Sequence, residues 1–338
     1  MTWIVTGGAG YIGGHVVHRL HAAGHHVVVF DDLSTGRPER LPAGVELVRG
    51  SVTDPASLTR LFAGREATGV VHLAALKSVA ESVAVPERYL TCNVGGVRNL
   101  LRAMGDAGVR RVLFSSSASV YGEPAGETVA EDFPTEPANP YGETKLLGEQ
   151  AIREAAVDHG VRSVVLRQFN VIGAGRHPYA ADTGATNLLP AAFRALTGGP
   201  PVAVLGVDYP TPDGTAVRDY LHVEDAAEAY LRGVEHLLSA AAEPQLVVNI
   251  GAGAGRSVAR MLRDVAAAAG RPVPHVAAAR RPGDPPSVIA DATRAMSRLN
   301  WKAGRDVADA VGSAWRAWES AAAGHLPHGG VPHRHALQ

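Results

Sequence analysis

The chain has 338 residues, which is enough for one large domain or two modest ones. Its 33 acidic and 32 basic residues nearly balance, so neither a nucleic acid nor an anionic membrane surface is indicated as a partner. Cys92 is the only cysteine, which excludes an intramolecular disulfide and fits a reducing compartment. No apolar run reaches membrane-spanning length, and the first residues predict a strand rather than a signal peptide. We therefore expect a soluble cytoplasmic protein.

The first strand–helix–strand unit carries a glycine-rich turn. Residues 2–6 predict a short apolar strand, a helical pattern follows through Leu20 to Gly24, and a second strand over residues 27–30 ends in Asp31. The turn between strand and helix has a glycine at every third position, namely Gly7, Gly10 and Gly13. Such glycines let the backbone approach a pyrophosphate, and the helix N-terminus supplies amide donors to it. We predict a dinucleotide site in which Asp31 accepts from a ribose hydroxyl and favours NAD over NADP.

Strands and helices continue to alternate along the first half of the chain. Further strands are predicted at residues 45–48, 69–72, 111–114 and 163–167. The helices between them are predicted at residues 55–62, 86–107 and 141–159. Strands joined by crossover helices form a parallel, doubly wound sheet, so the predicted fold class is α/β with a Rossmann sheet. The Pro-rich, acidic stretch 123–139 is interpreted as an exposed loop.

After about residue 170 the pattern loosens, and we expect a smaller C-terminal α+β lobe that binds substrate. Helices are predicted there at residues 188–196, 223–238 and 258–269. The predicted domains are residues 1–172 for the dinucleotide, with 216–250 returning to it, residues 173–215 and 251–323 for the lobe, and residues 324–338 for a flexible tail. The tail contains four histidines, His325, His328, His333 and His335. Their irregular spacing among Gly and Pro favours a frayed tail, so no metal site is predicted.

Tyr141 and Lys145 are four residues apart, so in a helix their side chains lie on one face, one turn apart. An ammonium about 4 Å from a phenol, at an effective dielectric of about 20, interacts with it by roughly 4 kcal/mol. We expect this charge to lower the pKa of Tyr141 from about 10 towards neutrality, where a phenol can take a proton from an alcohol. The spacing also occurs in ordinary surface helices. Its position beside a run of serines at the carboxyl end of a strand favours the functional interpretation.

Longer motifs run through nearly the whole chain. They occupy residues 6–13, 76–82, 115–122, 139–142, 169–170, 187–188, 208–222 and 280–284. Together they resemble the UDP-glucose (UDP-galactose) 4-epimerase family, within the extended short-chain dehydrogenase/reductase superfamily. The blocks 76–82 and 208–222 are close to signatures of that family. The resemblance implies an isomerase that uses NAD to epimerise carbon 4 of a UDP-sugar through a transient 4-keto intermediate, acting as a homodimer.

The resemblance implies a role for each matching position. Tyr141 is the acid and base, Lys145 lowers its pKa and holds the nicotinamide ribose, and Ser117 hydrogen-bonds the reacting oxygen. Besides the glycines, Asp31, Tyr141 and Lys145, the residues implied to bind NAD are Tyr11, Ile12, Ser51, Val52, Leu73, Ala74, Ala75, Lys77, Asn93, Ser115 and Gln168. The residues implied to bind the UDP-sugar, besides Ser117 and Tyr141, are Lys77, Asn170, Asn187, Leu188, Arg218, Tyr220, Arg281, Asp284 and Val288.

Three positions depart from the family pattern. Ser51 stands where the family usually has an aspartate near the adenine, which should weaken NAD binding by only about 0.5–1.5 kcal/mol. Gln168 replaces the aromatic residue expected before Phe169. Val288 stands where some members carry a tyrosine beside the sugar, which predicts room for an N-acetyl group.

Two alternative functions differ from a 4-epimerase in one sequence feature each. A nucleotide-sugar 4,6-dehydratase would have an Asp-Glu pair after its catalytic Ser or Thr, where this chain has Ala118 and Ser119. A regulator that binds NAD without chemistry tends to lose the Tyr-x-x-x-Lys pair. A 4-epimerase of a UDP-pentose or a UDP-uronic acid remains open from sequence.

Overall fold

The computed structural model describes residues 1–124, 128–176, 182, 184–281 and 283–322. Its central feature is a parallel sheet of seven strands in the order β10-β6-β5-β4-β1-β2-β3. The strands are β1 (Thr2–Thr6), β2 (His26–Asp31), β3 (Glu46–Arg49), β4 (Gly69–His72), β5 (Arg111–Ser117), β6 (Arg162–Gln168) and β10 (Gln245–Ile250). The strand order reverses between β1 and β4, and ligands of such sheets bind at the carboxyl ends of the strands at this point. The predicted α/β class and Rossmann sheet are confirmed.

Helices cover both faces of this sheet. One face packs on α1 (Tyr11–Ala22) and α8 (Val223–Leu238), and the other packs on α2 (Pro55–Phe62), α5 (Gly96–Asp106) and α6 (Pro140–His159). The strands are apolar at successive positions because both of their faces are buried. In β1, for example, Trp3 and Val5 belong to the first core and Ile4 to the second.

The predicted helix 86–107 is continuous but changes its hydrogen-bonding pattern. It begins as α4 (Pro86–Tyr89), passes through a π-helical segment at Leu90–Gly95 and continues as α5. The short α3 (Val79–Ala84) precedes it. A π-helical segment is a rare local widening that occurs mostly at functional sites.

The remaining strands form two small sheets beside the carboxyl edge of the main one. Strand β9 (Val217–His222) is the centre of the larger, where it pairs with β7 (Asn170–Ile172), β11 (Gly255–Ser257) and β13 (Ser287–Val288). The second sheet pairs β8 (Val202–Leu205) with β12 (His275–Ala278). The helices of this part are α7 (Leu188–Leu196), α9 (Val258–Ala269), α10 (Thr293–Leu299) and α11 (Val307–Ala322). A separate apolar core containing Phe193, Met261 and Trp315 holds α7, α9 and α11 together.

Two expectations need correction. Residues 216–250 do not all belong with the main sheet as predicted. Strand β9 lies in the small sheet, and only α8 and β10 pack on or pair with the main one. The stretch 123–139 is not wholly an exposed loop, since Val129 is buried and pairs with Ala290 after β13. The assignment of whole segments to domains remains a prediction, and the predicted tail lies outside the described residues.

Candidate active site

The glycine-rich turn joins β1 to α1 with no room for side chains. Gly7 has a positive φ of 70°, and a Cβ placed there would lie 2.7 Å from the backbone nitrogen of Ala74. A Cβ on Gly13 would lie 2.1 Å from the carbonyl oxygen of Gly7. Helix α1 begins after Gly10, and no side chain caps its first amide groups with a hydrogen bond. This backbone cradle fits a pyrophosphate, as the sequence predicts.

Asp31 lies at the carboxyl end of β2, directly beside this turn. Its two carboxyl oxygens accept from the backbone nitrogens of Ala9, at 3.0 Å, and Leu33, at 2.9 Å. Burial raises the pKa of Asp31, and these two hydrogen bonds act in the opposite direction. Each carboxyl oxygen can accept a second hydrogen bond, so the group fits a ribose hydroxyl.

The segment after β4 passes over the same end of the sheet. Leu73 donates its backbone N–H to Thr6 O at 3.0 Å, and the small residues Ala74 and Ala75 follow. The side-chain amide of Asn93, in the π-helical segment, bonds both backbone polar groups of Leu76, at 2.8 and 3.0 Å. Asn93 therefore holds this segment in place, besides any contact with a cofactor.

Five further predicted cofactor residues lie around these segments. Lys77 extends from the segment after β4, with its Nζ 2.7 Å from Asp182 Oδ2 and 5.8 Å from the centre of the Tyr11 ring. Ser51 follows β3, and Val52 next to it is buried against Gly96 of α5. Ile12 lies in the first turn of α1, partly buried against the main core.

Helix α6 begins in the way its sequence indicates. The Asn139 side chain accepts from the backbone nitrogen of Gly142 at 3.0 Å, and Pro140 occupies the first helical position. This start places Tyr141 in the first turn, where its phenol lies beside the Ser117 side chain at the end of β5. Lys145, one turn later, donates from Nζ to the carbonyl oxygen of Ser115 at 2.8 Å. The three predicted catalytic side chains are therefore brought together at one strand end.

The predicted pKa of Tyr141 is wrong in direction. Burial raises the pKa of Tyr141 above its usual value, and only the hydrogen bond with Ser117 lowers it. The Lys145 ammonium lies 5.9 Å from the centre of the tyrosine ring and points at Ser115. Burial also lowers the pKa of Lys145 to about 8. Sequence spacing gives the shared face but not the desolvation, which depends on what the rest of the chain packs around the pair.

Gln168 ends β6 opposite Ser117. Its Nε2 donates to Ser115 Oγ at 2.5 Å, while its buried Oε1 has no hydrogen-bond partner among the described residues. An acceptor left open beside Ser115 and Lys145 fits a donor group of a bound cofactor.

The predicted substrate residues lie on the elements around the small sheet. Asn170 begins β7. Asn187 lies just before α7, and Leu188 is the first residue of that helix. Arg281 is exposed and follows β12 in the chain. Arg218 and Asp284, predicted to bind different parts of the ligand, form an ion pair at 2.5 Å. Tyr220 is buried in the lobe core, which raises its pKa to about 12.

Val288 pairs alongside Arg218 and packs partly buried against Val120, Tyr121 and Phe169. A small cleft of about 30 Å³ lies between Tyr11, at the start of α1, and Asn187, just before α7.

Sequence reasoning missed a buried ion pair beneath the serines. Glu149, four residues after Lys145, is fully buried and binds Arg167 of β6 at 2.8 Å. The spacing of four places Glu149 on the same face of α6 as Tyr141 and Lys145, and this signal could have found it.

The matching family model is that of the NAD dependent epimerase/dehydratase family, over residues 3–251. The chain belongs to this family. It is 43% identical over 333 residues to a UDP-glucose 4-epimerase from Azospirillum brasilense, covering 97% of this chain and 95% of the relative. The membership agrees with the resemblance based on the sequence motifs.

Solved structures of epimerases agree in fold over almost all of the chain. A UDP-glucose 4-epimerase from Brucella ovis in complex with NAD superposes with a TM-score of 0.89 at 37% identity, covering 94% of this chain and 98% of that one. A UDP-glucose 4-epimerase from Bifidobacterium longum in complex with NAD+ and UDP gives 0.87 at 35% identity, covering 96% and 100%. Within the described part of the chain, no helix is both long and apolar enough to cross a membrane.

Proposed function

We propose that the protein is an NAD-dependent isomerase that interconverts UDP-glucose and UDP-galactose by epimerisation at carbon 4. The observation that carries this proposal is the convergence of Ser117, Tyr141 and Lys145 on the strand end beside the glycine turn. Full-length similarity to UDP-glucose 4-epimerases, some with NAD or UDP bound, supports the cofactor and the substrate class.

The chemistry divides between cofactor and protein. A bound NAD would supply a hydride acceptor and donor for carbon 4, and the positive charge of its oxidised ring would lower the pKa of a nearby phenol. Tyr141 would take the proton of the 4-hydroxyl, with Ser117 hydrogen-bonded to the same oxygen. After the 4-keto sugar has turned over inside the site, Tyr141 would return the proton to that oxygen. Because the cofactor is regenerated, no second substrate is needed.

Lys145 supports Tyr141 in this scheme by position and by charge. Its ammonium is held on the carbonyl of Ser115 and lies over the Phe114 ring at 5.3 Å. It can bind the nicotinamide ribose from there, while the glycine turn binds the pyrophosphate and Asp31 the adenosine ribose. These contacts use the donors and acceptors that the described residues leave open.

The diphosphate of the sugar nucleotide requires cations from the C-terminal lobe. Arg218 and Arg281 are the proposed ligands, because a guanidinium fork matches phosphate oxygens better than an ammonium does. Asp284 would then exchange part of its ion pair with Arg218 for the uridine ribose. Gripping the nucleotide while leaving the hexose free is what allows the sugar to turn.

The test is direct conversion. Purified protein incubated with UDP-galactose and NAD should produce UDP-glucose until the two reach equilibrium, without net formation of NADH. Absence of UDP-glucose under these conditions would refute the proposal, and release of water to give a 4-keto-6-deoxy sugar would indicate a dehydratase instead.

A further inference from the structure

Strand β5 ends in three consecutive serines, and each of them contacts a different residue of α6. Ser115 accepts from Lys145 Nζ through its carbonyl oxygen at 2.8 Å, and the Ser117 side chain lies beside the Tyr141 phenol, whose pKa it lowers. Between them, Ser116 donates from its hydroxyl to Glu149 Oε1 at 2.5 Å. Neither Ser116 nor Glu149 has a role in the proposed chemistry, yet Ser116 lies between the two serines that contact the proposed catalytic pair.

The Glu149 carboxylate is fully buried and is held by Arg167 in a fork. Arg167 Nε donates to Oε1 at 3.0 Å, and its Nη2 donates to Oε2 at 2.8 Å. The Arg153 guanidinium, nearer the surface of α6, lies 3.8 Å from the same carboxylate. A fork of this kind fixes both the distance and the orientation of the two groups.

Arg167 also reaches past Glu149 to the elements that follow the serines. Its Nη1 donates to the Tyr121 hydroxyl at 3.0 Å and to the carbonyl oxygen of Glu131 at 3.1 Å. The Tyr121 hydroxyl in turn donates to Asn249 of β10 at 2.7 Å. One guanidinium thus joins α6, the segment after β5 and strand β10.

Glu149, the anion of this buried pair, lies one turn from Lys145 on α6. The other groups that act on Lys145 are Cys92 of the π-helical segment and His72 of β4, along with Tyr141 on its own helix. Glu149 favours the charged form of Lys145, and the burial of Lys145 opposes it. While the pair is intact, the charge of Arg167 balances that of Glu149.

We propose that Glu149 and Arg167 are positioning residues, a buried ion pair that holds α6 in register with the three serines and keeps the charge beside Lys145 balanced. This inference rests on the proposed 4-epimerase function. It predicts that removing one charge shifts the alkaline limb of the pH–activity profile, and that the two single removals shift it in opposite directions.

The signs follow from the charge left behind. Glu149→Gln leaves the Arg167 cation uncompensated, which disfavours protonated Lys145 and moves the alkaline limb of kcat to lower pH. Arg167→Gln leaves the Glu149 anion, which favours protonated Lys145 and moves the limb to higher pH. Nearby charges of this kind shift a pKa by about one unit or more. A role in packing alone would reduce activity without opposite shifts.

The experiment measures kcat and KM for UDP-galactose from pH 6 to about 10 in both variants, with NAD content determined for each preparation. Glu46→Gln is the matched control, because Glu46 forms the same fork with Arg65 on the surface, at 2.9 and 3.1 Å. We expect limbs displaced in opposite directions by about one pH unit, a KM close to wild type, and a wild-type profile for the control. Limbs that stay in place, or move together, would overturn the proposal.

Removing one charge of a buried ion pair is strongly destabilising, so the glutamine variants could fail to fold. Arg167→Lys is therefore a second test, because it keeps the positive charge. This variant loses the fork but not the cation, and we expect kcat to fall about tenfold with the alkaline limb unmoved. A displaced limb in Arg167→Lys, or full activity there, contradicts the proposal even if neither single glutamine variant folds. A wild-type protein with no epimerisation contradicts the proposed function instead, which separates the two failures.

Discussion

Tyr141 is the residue whose chemistry the proposed function needs most. In Tyr141→Phe the ring that packs beside Lys145 is kept and only the hydroxyl that meets Ser117 is lost. We expect NAD and UDP to bind as in wild type and turnover to fall by roughly 10²–10⁴-fold, the usual contribution of a general acid–base group. Calorimetry for binding and a UDP-galactose conversion assay check both parts. Activity within about threefold of wild type would remove Tyr141 from the mechanism.

We predict that Val288 determines which UDP-sugars the protein accepts. It lies between Arg218 of the neighbouring strand and the aromatic residues Tyr121 and Phe169. Because a valine side chain is smaller than a tyrosine ring, we expect room for an N-acetyl group and expect the wild-type protein to interconvert UDP-N-acetylglucosamine and its galacto epimer. In Val288→Tyr the ring should fill this space, and overpacking typically costs about 1–3 kcal/mol.

The readout is the ratio of the two activities. Val288→Tyr should lose the N-acetyl activity and keep the hexose activity, whereas Val276→Tyr, at an exposed position of β12, should leave both unchanged. A wild-type protein that equilibrates UDP-galactose fully without any N-acetyl turnover shows that Val288 is an ordinary core residue.

The sequence predicts which side chains share a face of a helix, but it does not predict which distant segments bury them. The spacing of Tyr141 and Lys145 correctly predicts a shared face. The rise in the Tyr141 pKa comes from burial by distant segments, which spacing does not contain. The spacing of four on α6 indicates Glu149, but not its partner Arg167, which lies on a strand 18 residues later.

The turn between β1 and α1 has no room for a side chain at Gly13, which can be tested by substitution. In Gly13→Ala the new methyl group would lie 2.1 Å from the carbonyl oxygen of Gly7, so the turn and α1 must move apart. We expect NAD affinity to fall by at least about tenfold, since backbone displacement withdraws the amide donors from the pyrophosphate. Fluorescence titration with NAD measures this.

Gly105→Ala is the matched control for that substitution. Gly105 is also helical, in α5, and a Cβ there has no neighbour within 4 Å. Alanine should stabilise that helix by about 0.5–1 kcal/mol and leave NAD binding unchanged. Equal NAD affinity in both variants would contradict the close-packing explanation of Gly13.

Helices α2 and α9 were predicted to the residue, and elements defined by distant pairing were not. Asp54 and Ser257 cap α2 and α9 by accepting from backbone nitrogens, and such residues are recognisable in sequence. The π-helical segment has no comparable local signal. The strand β13 has two residues and exists because β9 lies beside it, so local pattern cannot predict it.

For the whole molecule we predict a homodimer that uses α5 and α6. The outer face of α5 exposes Arg98 and Arg102, and that of α6 exposes Glu143 and Glu154. If α5 and α6 of one protomer pack on the same two helices of its partner across a two-fold axis, the interface is a four-helix bundle. This packing would bring the exposed arginines of α5 close to the exposed glutamates of α6.

Light scattering at micromolar concentration should give twice the mass of one chain. Arg98→Glu combined with Arg102→Glu should shift the protein towards monomers. The same reversal at Arg260 and Arg263, exposed on α9, should leave the mass unchanged. A monomeric wild-type protein, or a dimer unaffected by the α5 reversal, would contradict this interface.

The position of β10 at the edge of the main sheet has a consequence for synthesis on the ribosome. Strand β6 is covered on one side by β5 and on the other by β10, whose last residue is Ile250. Until residues 245–250 have emerged, the nascent chain presents β6 as an open edge containing Val164, Val165 and Leu166. Apolar edges of this kind pair with other chains and aggregate. The time taken to translate residues 169–250 therefore sets how long the unfinished protein is exposed to aggregation.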